Sequence, residues 1–130
     1  MRIDVVTIFP GMFAPVIQQS ILKRAQASGR VQIAVHDLRQ WTRDRRRTVD
    51  DRPFGGGPGM LMKPEPLWKA VEAIEASCHG RSRRTTRARC HIVLLGPAGE
   101  RLDQALARRL ARTEHLVLLC GHYEGVDERV

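Results

Sequence analysis

Apolar side chains along this chain alternate between short runs and a helical spacing. Four segments are apolar or alternating runs bounded by turn residues, the pattern of a β-strand: Ile3–Phe9, Val31–Leu38, His91–Leu95 and His115–Cys120. Three segments repeat apolar residues every three or four positions, the spacing of one helix face: 12–25, 64–76 and 102–110. Because strands and helices alternate, the sequence predicts an α/β fold, a mostly parallel sheet with helices on both faces.

Three shorter segments extend this pattern. Met60–Met62 predicts a short strand that returns the chain to the core, and Val126–Val130 predicts the beginning of another helix. Residues 80–89 offer nothing that could pack in a core and contain five arginines: Arg81, Arg83, Arg84, Arg87 and Arg89. We interpret this insert as a flexible surface loop, which either contacts an RNA backbone or makes no specific contact.

Length and composition limit the classes of protein to which this chain can belong. The chain has 130 residues, 42% of them hydrophobic, which is enough for one buried core and predicts a single domain. No apolar run approaches the roughly 20 residues of a membrane span, and the start lacks the apolar stretch of a signal peptide, so a cytoplasmic protein is expected. The three cysteines lack a Cys-x-x-Cys spacing, which favours reduced, buried thiols over disulfides or a zinc site.

The charge balance is strongly basic. Lysine and arginine number 22 against 14 aspartate and glutamate, a net charge of +8, and most of the basic residues are arginine. Arginine presents planar, bidentate donors that match phosphate groups, so nucleic acid is the first partner to expect. A solvated basic surface with no such partner is the alternative.

A glycine-rich stretch is the most informative part of the sequence for function. Pro53–Met60 holds four glycines and two prolines in eight residues, and the acidic pair Asp50 and Asp51 precedes it. Five arginines surround that pair: Arg43, Arg45, Arg46, Arg47 and Arg52. Because guanidiniums bind phosphates while carboxylates and backbone amides read base edges, we interpret the stretch as a recognition loop; a plain connector is the alternative. It is not a nucleotide-triphosphate loop, since no lysine and hydroxyl follow Gly59.

Two predicted strands end in glycine-rich turns. His91–Leu95 runs into Gly96–Gly99, and His115–Cys120 runs into Gly121–Gly125. In open α/β sheets, ligands bind beyond the carboxyl ends of the strands. We therefore predict that the two turns form one pocket lined by backbone amides and carbonyls.

Two long motifs resemble those of one family. Arg47–Met60 and Cys120–Val130, with the opening Ile8–Phe13, closely resemble the bacterial tRNA (guanine-N1)-methyltransferases. The resemblance implies a trefoil-knotted α/β methyltransferase of the SPOUT class that acts as a homodimer. It also implies methyl transfer from S-adenosylmethionine to N1 of the guanine on the 3′ side of the tRNA anticodon.

The same resemblance implies site residues. For the cofactor they are Leu94, Leu95, Gly96, Pro97, Ala98, Gly99, Gly121, Tyr123, Glu124 and Gly125. For the target guanine and its neighbour they are Asp50, Arg52, Gly57 and Gly59. Family members also use magnesium in the reaction, but no residue of this chain is assigned as a metal ligand. Glu124 and Asp50 are interpreted as positioning groups.

The family's general base, the arginine that partners it and a carboxyl-terminal tRNA-binding domain would all lie beyond Val130. Residues 1–130 are therefore expected to be the amino-terminal portion of a methyltransferase domain, with little or no turnover alone. The alternative from the residues themselves is a non-catalytic RNA-binding module that uses only the basic loops.

Overall fold

The computed structural model describes residues 1–79 and 90–130. The arginine-rich segment that we interpret as a flexible loop lies outside the described residues. The described part contains six strands: β1 Arg2–Thr7, β2 Gln32–Asp37, β3 Asp50–Asp51, β4 Leu61–Met62, β5 His91–Leu95 and β6 His115–Cys120. It also contains four α-helices: α1 Ala14–Ile17, α2 Ser20–Ala27, α3 Pro64–His79 and α4 Gln104–Leu110. Two short 3₁₀ turns are Pro10–Met12 and Leu38–Trp41.

The four long strands form one parallel sheet in the order β2-β1-β6-β5. Asp4 at the middle of β1 lies opposite Ala34 on one side and Val117 on the other. At the carboxyl edge, Leu95 lies opposite Cys120. The predicted parallel α/β sheet is confirmed, and the two glycine turns leave it from neighbouring strands.

The two faces of the sheet meet different helices. Val6, Val117 and Leu119 lie on one face and pack against Leu67 and Ile74 of α3 in the main hydrophobic core. Alternation along the strands points the intervening side chains to the opposite face, where Val93, Leu116 and Leu118 share a cleft with α4. No helix within 1–79 and 90–130 is long and apolar enough to cross a membrane.

Two predicted elements are wrong in detail. The helix predicted over 12–25 is broken, because Gln19 is extended and Ser20, the first residue of α2, adopts a φ of +48°. Its predicted apolar face is largely open, with Val16 62% and Ile21 69% exposed. The helix predicted from Val126 does not form, because Val126 pairs with Met62 in a parallel bridge. The spacing of side chains could not reveal either effect, since both depend on the backbone.

The predicted strand at Met60–Met62 forms as β4 and buries Met62, but it joins a separate sheet. It pairs antiparallel with β3, so that Asp50 lies opposite Met62 and Asp51 opposite Leu61. The glycine-rich stretch is therefore the loop of a β-hairpin that stands outside the main sheet.

A buried ionic cluster lies around Asp4 in the sheet, and the sequence reasoning missed it. The Asp4 carboxylate is fully buried and accepts hydrogen bonds from Arg2 Nε (2.6 Å) and Nη2 (3.0 Å). His36 Nε2 and His115 Nε2 lie 2.6 and 2.7 Å from its two oxygens. Burial raises the pKa of Asp4, but the hydrogen bonds from Arg2, His36 and His115 together outweigh burial and lower it. An aspartate between Ile3 and Val5 in an apolar strand was the available signal.

Candidate functional site

The hairpin loop requires glycine at four positions. Gly55, Gly56, Gly57 and Gly59 have φ angles of +83°, +82°, +122° and +88°. Side chains other than glycine are strained in this region of φ. The loop is therefore a defined conformation that the sequence specifies.

Charged groups of both signs lie on and beside the hairpin. Asp50 is half-buried in β3, and Asp51 accepts a hydrogen bond from the Arg52 backbone N–H at 2.8 Å. The Lys63 ammonium lies 3.9 Å from Asp51. The five arginines that flank the acidic pair are all exposed: Arg43, Arg45, Arg46, Arg47 and Arg52. Their guanidiniums are free to meet phosphate groups from solvent.

The hairpin is hydrogen-bonded to the segment that follows β6. Glu124 N–H donates to Met60 O (3.1 Å), Met62 N–H donates to Gly125 O (3.0 Å), and Asp127 N–H donates to Met62 O (3.1 Å). We call this pairing of Met60–Met62 with 124–127 the junction. It joins the predicted substrate loop directly to the second predicted cofactor turn.

At the junction, the Glu124 side chain lies close against the backbone of Gly59. A Cβ built on Gly59 would lie 2.9 Å from Glu124 Oε1, closer than real Cβ atoms approach other atoms. Only glycine therefore lets Glu124 occupy its place beside the loop. The structure thus brings together one residue predicted for the guanine, Gly59, and one predicted for the cofactor, Glu124.

Three rings, those of Phe9, His122 and Tyr123, pack in a row between the end of β1 and the turn after β6. Phe9 packs edge-on against His122 with 4.9 Å between ring centroids, and His122 packs against Tyr123 at 4.8 Å. Tyr123 has a φ of +60°, an uncommon conformation for a residue of its size. The His122 backbone N–H donates to Met62 Sδ (3.1 Å), so this turn also rests on β4. Sequence reasoning did not assign Phe9 or His122, although both lie in the motifs that carry the family resemblance.

The two glycine turns lie side by side. A Cβ built on Gly121 would lie 3.6 Å from Leu95 O and 3.6 Å from Val126 Cγ2, an ordinary contact distance. Cys120, the last residue of β6, is half-buried, and burial raises the pKa of its thiol. The ends of β5 and β6 are thus in direct contact, as the parallel sheet predicted.

A cleft of about 790 Å³ opens between β5, its turn and α4. It is lined by five of the residues predicted for the cofactor: Leu94, Leu95, Gly96, Pro97 and Gly99. Built Cβ atoms at Gly96 and Gly99 meet nothing within 4 Å, so the backbone is open there. Gly121, Tyr123, Glu124 and Gly125 do not line this cleft. A single pocket shared by both turns stays a prediction.

The residues described do not contain a ready-made metal centre. Within 1–79 and 90–130, no three His, Cys, Asp or Glu side chains form a group that could hold a metal ion. Magnesium is usually held by carboxylates and waters, often with substrate phosphates. The described residues therefore show no cage for magnesium built from protein side chains alone.

Comparison with known proteins assigns the chain to a family. A family model described as tRNA (Guanine-1)-methyltransferase TrmD matches residues 1–130. The chain belongs to this family. The assignment confirms the resemblance of the two motifs to tRNA (guanine-N1)-methyltransferases.

Curated tRNA (guanine-N1)-methyltransferases match the chain over its whole length. The protein of this name from Chloroflexus aggregans is 50% identical over 130 residues, which cover 100% of this chain and 48% of that protein. The one from Geobacillus kaustophilus is 49% identical, with coverages of 100% and 50%. The chain spans about half the length of the curated relatives it matches.

A solved structure of a tRNA methyltransferase supports the fold. The crystal structure of tRNA (m1G37) methyltransferase from Aquifex aeolicus matches with a TM-score of 0.84 and 36% sequence identity. The match covers 100% of this chain and 55% of that one. The predicted SPOUT-type α/β fold is thereby confirmed, while the trefoil knot stays a prediction.

Proposed function

We propose that the protein containing these residues transfers a methyl group from S-adenosylmethionine to N1 of the guanine on the 3′ side of the tRNA anticodon. The observation that carries this proposal is the junction, where the glycine hairpin is hydrogen-bonded to the turn after β6. In a member of the tRNA (guanine-1)-methyltransferase family, that pairing would hold a nucleobase loop beside a methyl-donor turn.

The donor would bind over the carboxyl ends of β5 and β6. The neighbouring cleft of about 790 Å³ lies within the range of roughly 300–1,000 Å³ that small-molecule pockets occupy. Its apolar wall includes Leu102 and Leu106, and its glycine turn leaves backbone groups open to a ligand. Both features fit S-adenosylmethionine, which when bound supplies a methyl group on a positively charged sulfur. Leu94–Gly99 and Gly121–Gly125 would hold it, with Ala98 contributing backbone groups only.

The acceptor must be held in line and lose its proton. Guanine N1 carries a proton at neutral pH, so a base must remove it as the methyl group arrives. In our assignment, Asp50, Arg52 and Gly57 position the guanine from the hairpin. Gly59 and Glu124 fix the distance between hairpin and donor turn. The base itself is assigned to a part of the protein beyond Val130.

The proposed partners are tRNA and a second copy of the chain. The net charge of +8 and the exposed arginines before the hairpin suit an RNA backbone. The apolar residues Met12, Val16 and Ile21 are well exposed on the amino-terminal helical segment, a feature typical of surfaces that meet another protein. In our proposal, residues 1–130 are one methyltransferase domain with a trefoil knot, and the homodimer is the active form.

Donor binding is the first test of this function. In the complete gene product, calorimetry with S-adenosylmethionine is expected to show one site per chain. Gly121→Val is expected to weaken affinity about 10- to 100-fold, roughly 1.4–2.8 kcal/mol, because its branched side chain extends past the 3.6 Å contacts with Leu95 and Val126. Gly121→Ala is the matched control, since its Cβ fits at ordinary contact distance.

Methyl transfer to tRNA transcripts is the second test. Transcripts with guanine after the anticodon should accept methyl groups, and transcripts with adenine there should not. A protein that binds tRNA, but does not bind S-adenosylmethionine and does not transfer methyl groups, would contradict the proposal and favour the RNA-binding module.

A further inference from the structure

Phe54 is the most exposed of the Phe, Trp and Tyr residues that the structure describes. The residue is 84% exposed in the hairpin loop, directly after Pro53. It lines two clefts, of about 550 and 430 Å³, in both cases together with Pro53, Leu61, Asp127 and Arg129. An apolar ring held this far into solvent has little packing reason to be there.

The Arg129 guanidinium is fixed next to this ring. Arg129 Nε and Nη2 donate to the two oxygens of Asp127 at 2.8 and 2.9 Å, and the Arg129 backbone N–H donates to Asp127 Oδ1 at 3.0 Å. Asp127 in turn donates its backbone N–H to Met62 O within the junction. A bidentate pair anchored in this way presents the guanidinium plane in one orientation.

These side-chain and backbone hydrogen bonds from Arg129 lower the pKa of Asp127 to about 2. Asp127 is therefore ionised at neutral pH, so both groups of the pair carry their charges. Arg129 thus presents a cation beside Phe54.

The Arg129 guanidinium lies on one side of the Phe54 ring, which is otherwise largely exposed. Arg129 Cζ lies 5.5 Å from the ring centroid, within the range of a cation–π contact. A second ring inserted between them would need about 7 Å, because stacked carbon atoms separate by about 3.5 Å on each side. Another planar group can therefore stack on the face away from Arg129 without displacing the guanidinium.

The surroundings favour a nucleobase as that planar group. The 550 Å³ cleft beside Phe54 is lined by acidic groups, Asp51 and Glu65, and by basic groups, Arg52 and Lys63. A base edge offers both donors and acceptors and can therefore meet groups of both signs, whereas a phosphate offers acceptors only and leaves the carboxylates without a donor. Built Cβ atoms at Gly55 and Gly56 meet nothing within 4 Å, so the approach along the loop is open.

We propose that Phe54, backed by Arg129, is a stacking platform for an unpaired nucleobase that flanks the methyl acceptor in the RNA. The proposal deepens the proposed function and rests on it. Stacking on an aromatic ring is tolerant of base identity, so the platform would add affinity and hold the strand in register rather than read its sequence.

The test replaces the ring in the complete gene product. Phe54→Leu keeps apolar bulk without an aromatic face, and Phe54→Trp keeps the aromatic face and is the matched control. Phe54→Leu is expected to weaken tRNA binding about 5- to 150-fold, the range found when a stacked base loses its aromatic partner. Phe54→Trp should bind tRNA like the parent protein. The affinity for S-adenosylmethionine should be unchanged in both, because Phe54 lies on the hairpin and not on either glycine turn.

A fluorescent base locates the contact. With 2-aminopurine next to the target guanine, first on one side and then on the other, fluorescence should be quenched at one position in the parent and in Phe54→Trp. Phe54→Leu should restore it. Unchanged tRNA affinity and quenching in Phe54→Leu would overturn the proposal. So would a change of oligomeric state in Phe54→Leu, which would place the ring against another copy of the chain. A failure of the proposed function would instead appear in the parent protein as absent donor binding or methyl transfer.

Discussion

Gly59→Ala in the complete gene product is expected to lower kcat/KM for tRNA methylation by about 100-fold or more. The added Cβ would lie 2.9 Å from Glu124 Cδ and Oε1, so the Glu124 side chain has to rotate out of its place, or the hairpin or the Glu124 turn has to move. Both are tied together by the three hydrogen bonds of the junction, and a displacement at one is transmitted to the other. Misplacing reacting groups by about 1 Å can cost two orders of magnitude in rate.

Gly56→Ala is the matched control for this prediction. Gly56 has a φ of +82° and Gly59 a φ of +88°, so alanine at either position meets the same backbone strain of about 1–3 kcal/mol. A Cβ on Gly56, however, meets nothing within 4 Å. Unfolding in urea should show a loss of stability in both variants, whereas methylation should fall sharply only in Gly59→Ala.

Equal activity in the two variants would mean that the Gly59–Glu124 approach has no bearing on catalysis. Equal and severe loss in both would assign the effect to backbone strain alone. Either result would remove the junction as the device that sets the distance between the nucleobase and the methyl donor.

The strands of the main sheet could be predicted because each is a local pattern. Ile3–Phe9 and His115–Cys120 are mostly apolar on both faces, as is typical of a central parallel strand; the first forms as β1 Arg2–Thr7 and the second with the predicted bounds. The contact between the ends of β5 and β6 also followed, since parallel neighbours end at the same edge. The helix predicted from Val126 failed because its backbone hydrogen bonds go to Met62, a partner far away in the sequence.

The parts of the site that could not be predicted all depend on such distant partners. Nothing near Gly59 in the sequence indicates that it faces Glu124. In the sequence, Phe54 is one more loop residue; only the structure shows that Arg129 lies beside it. The sequence indicates that the glycines adopt unusual backbone angles, but it does not indicate which distant side chains lie where their Cβ atoms would be.

Asp4→Asn is expected to destabilise the fold by about 3–5 kcal/mol, the usual result of removing one partner from a buried ionic pair. The Asp4 carboxylate is 0% exposed and is the common acceptor for Arg2, His36 and His115. An amide offers only one oxygen, and its NH₂ group would face donors. Since single domains are stable by roughly 5–15 kcal/mol, this change would remove a large share of the total. Urea unfolding measures it.

Asp44→Asn is the control, because Asp44 also accepts hydrogen bonds, from the Thr48 N–H and hydroxyl, but is exposed to water that can replace them. The pH dependence separates the two further. The folded-state pKa of Asp4 is lowered, so its contribution is complete above the unfolded pKa of about 3.9 and is lost as the pH falls through the folded value. The parent protein should therefore lose stability below about pH 4 more steeply than Asp4→Asn. Parallel acid profiles, or a loss in Asp4→Asn no larger than in Asp44→Asn, would show that the buried cluster does not stabilise the sheet through this carboxylate.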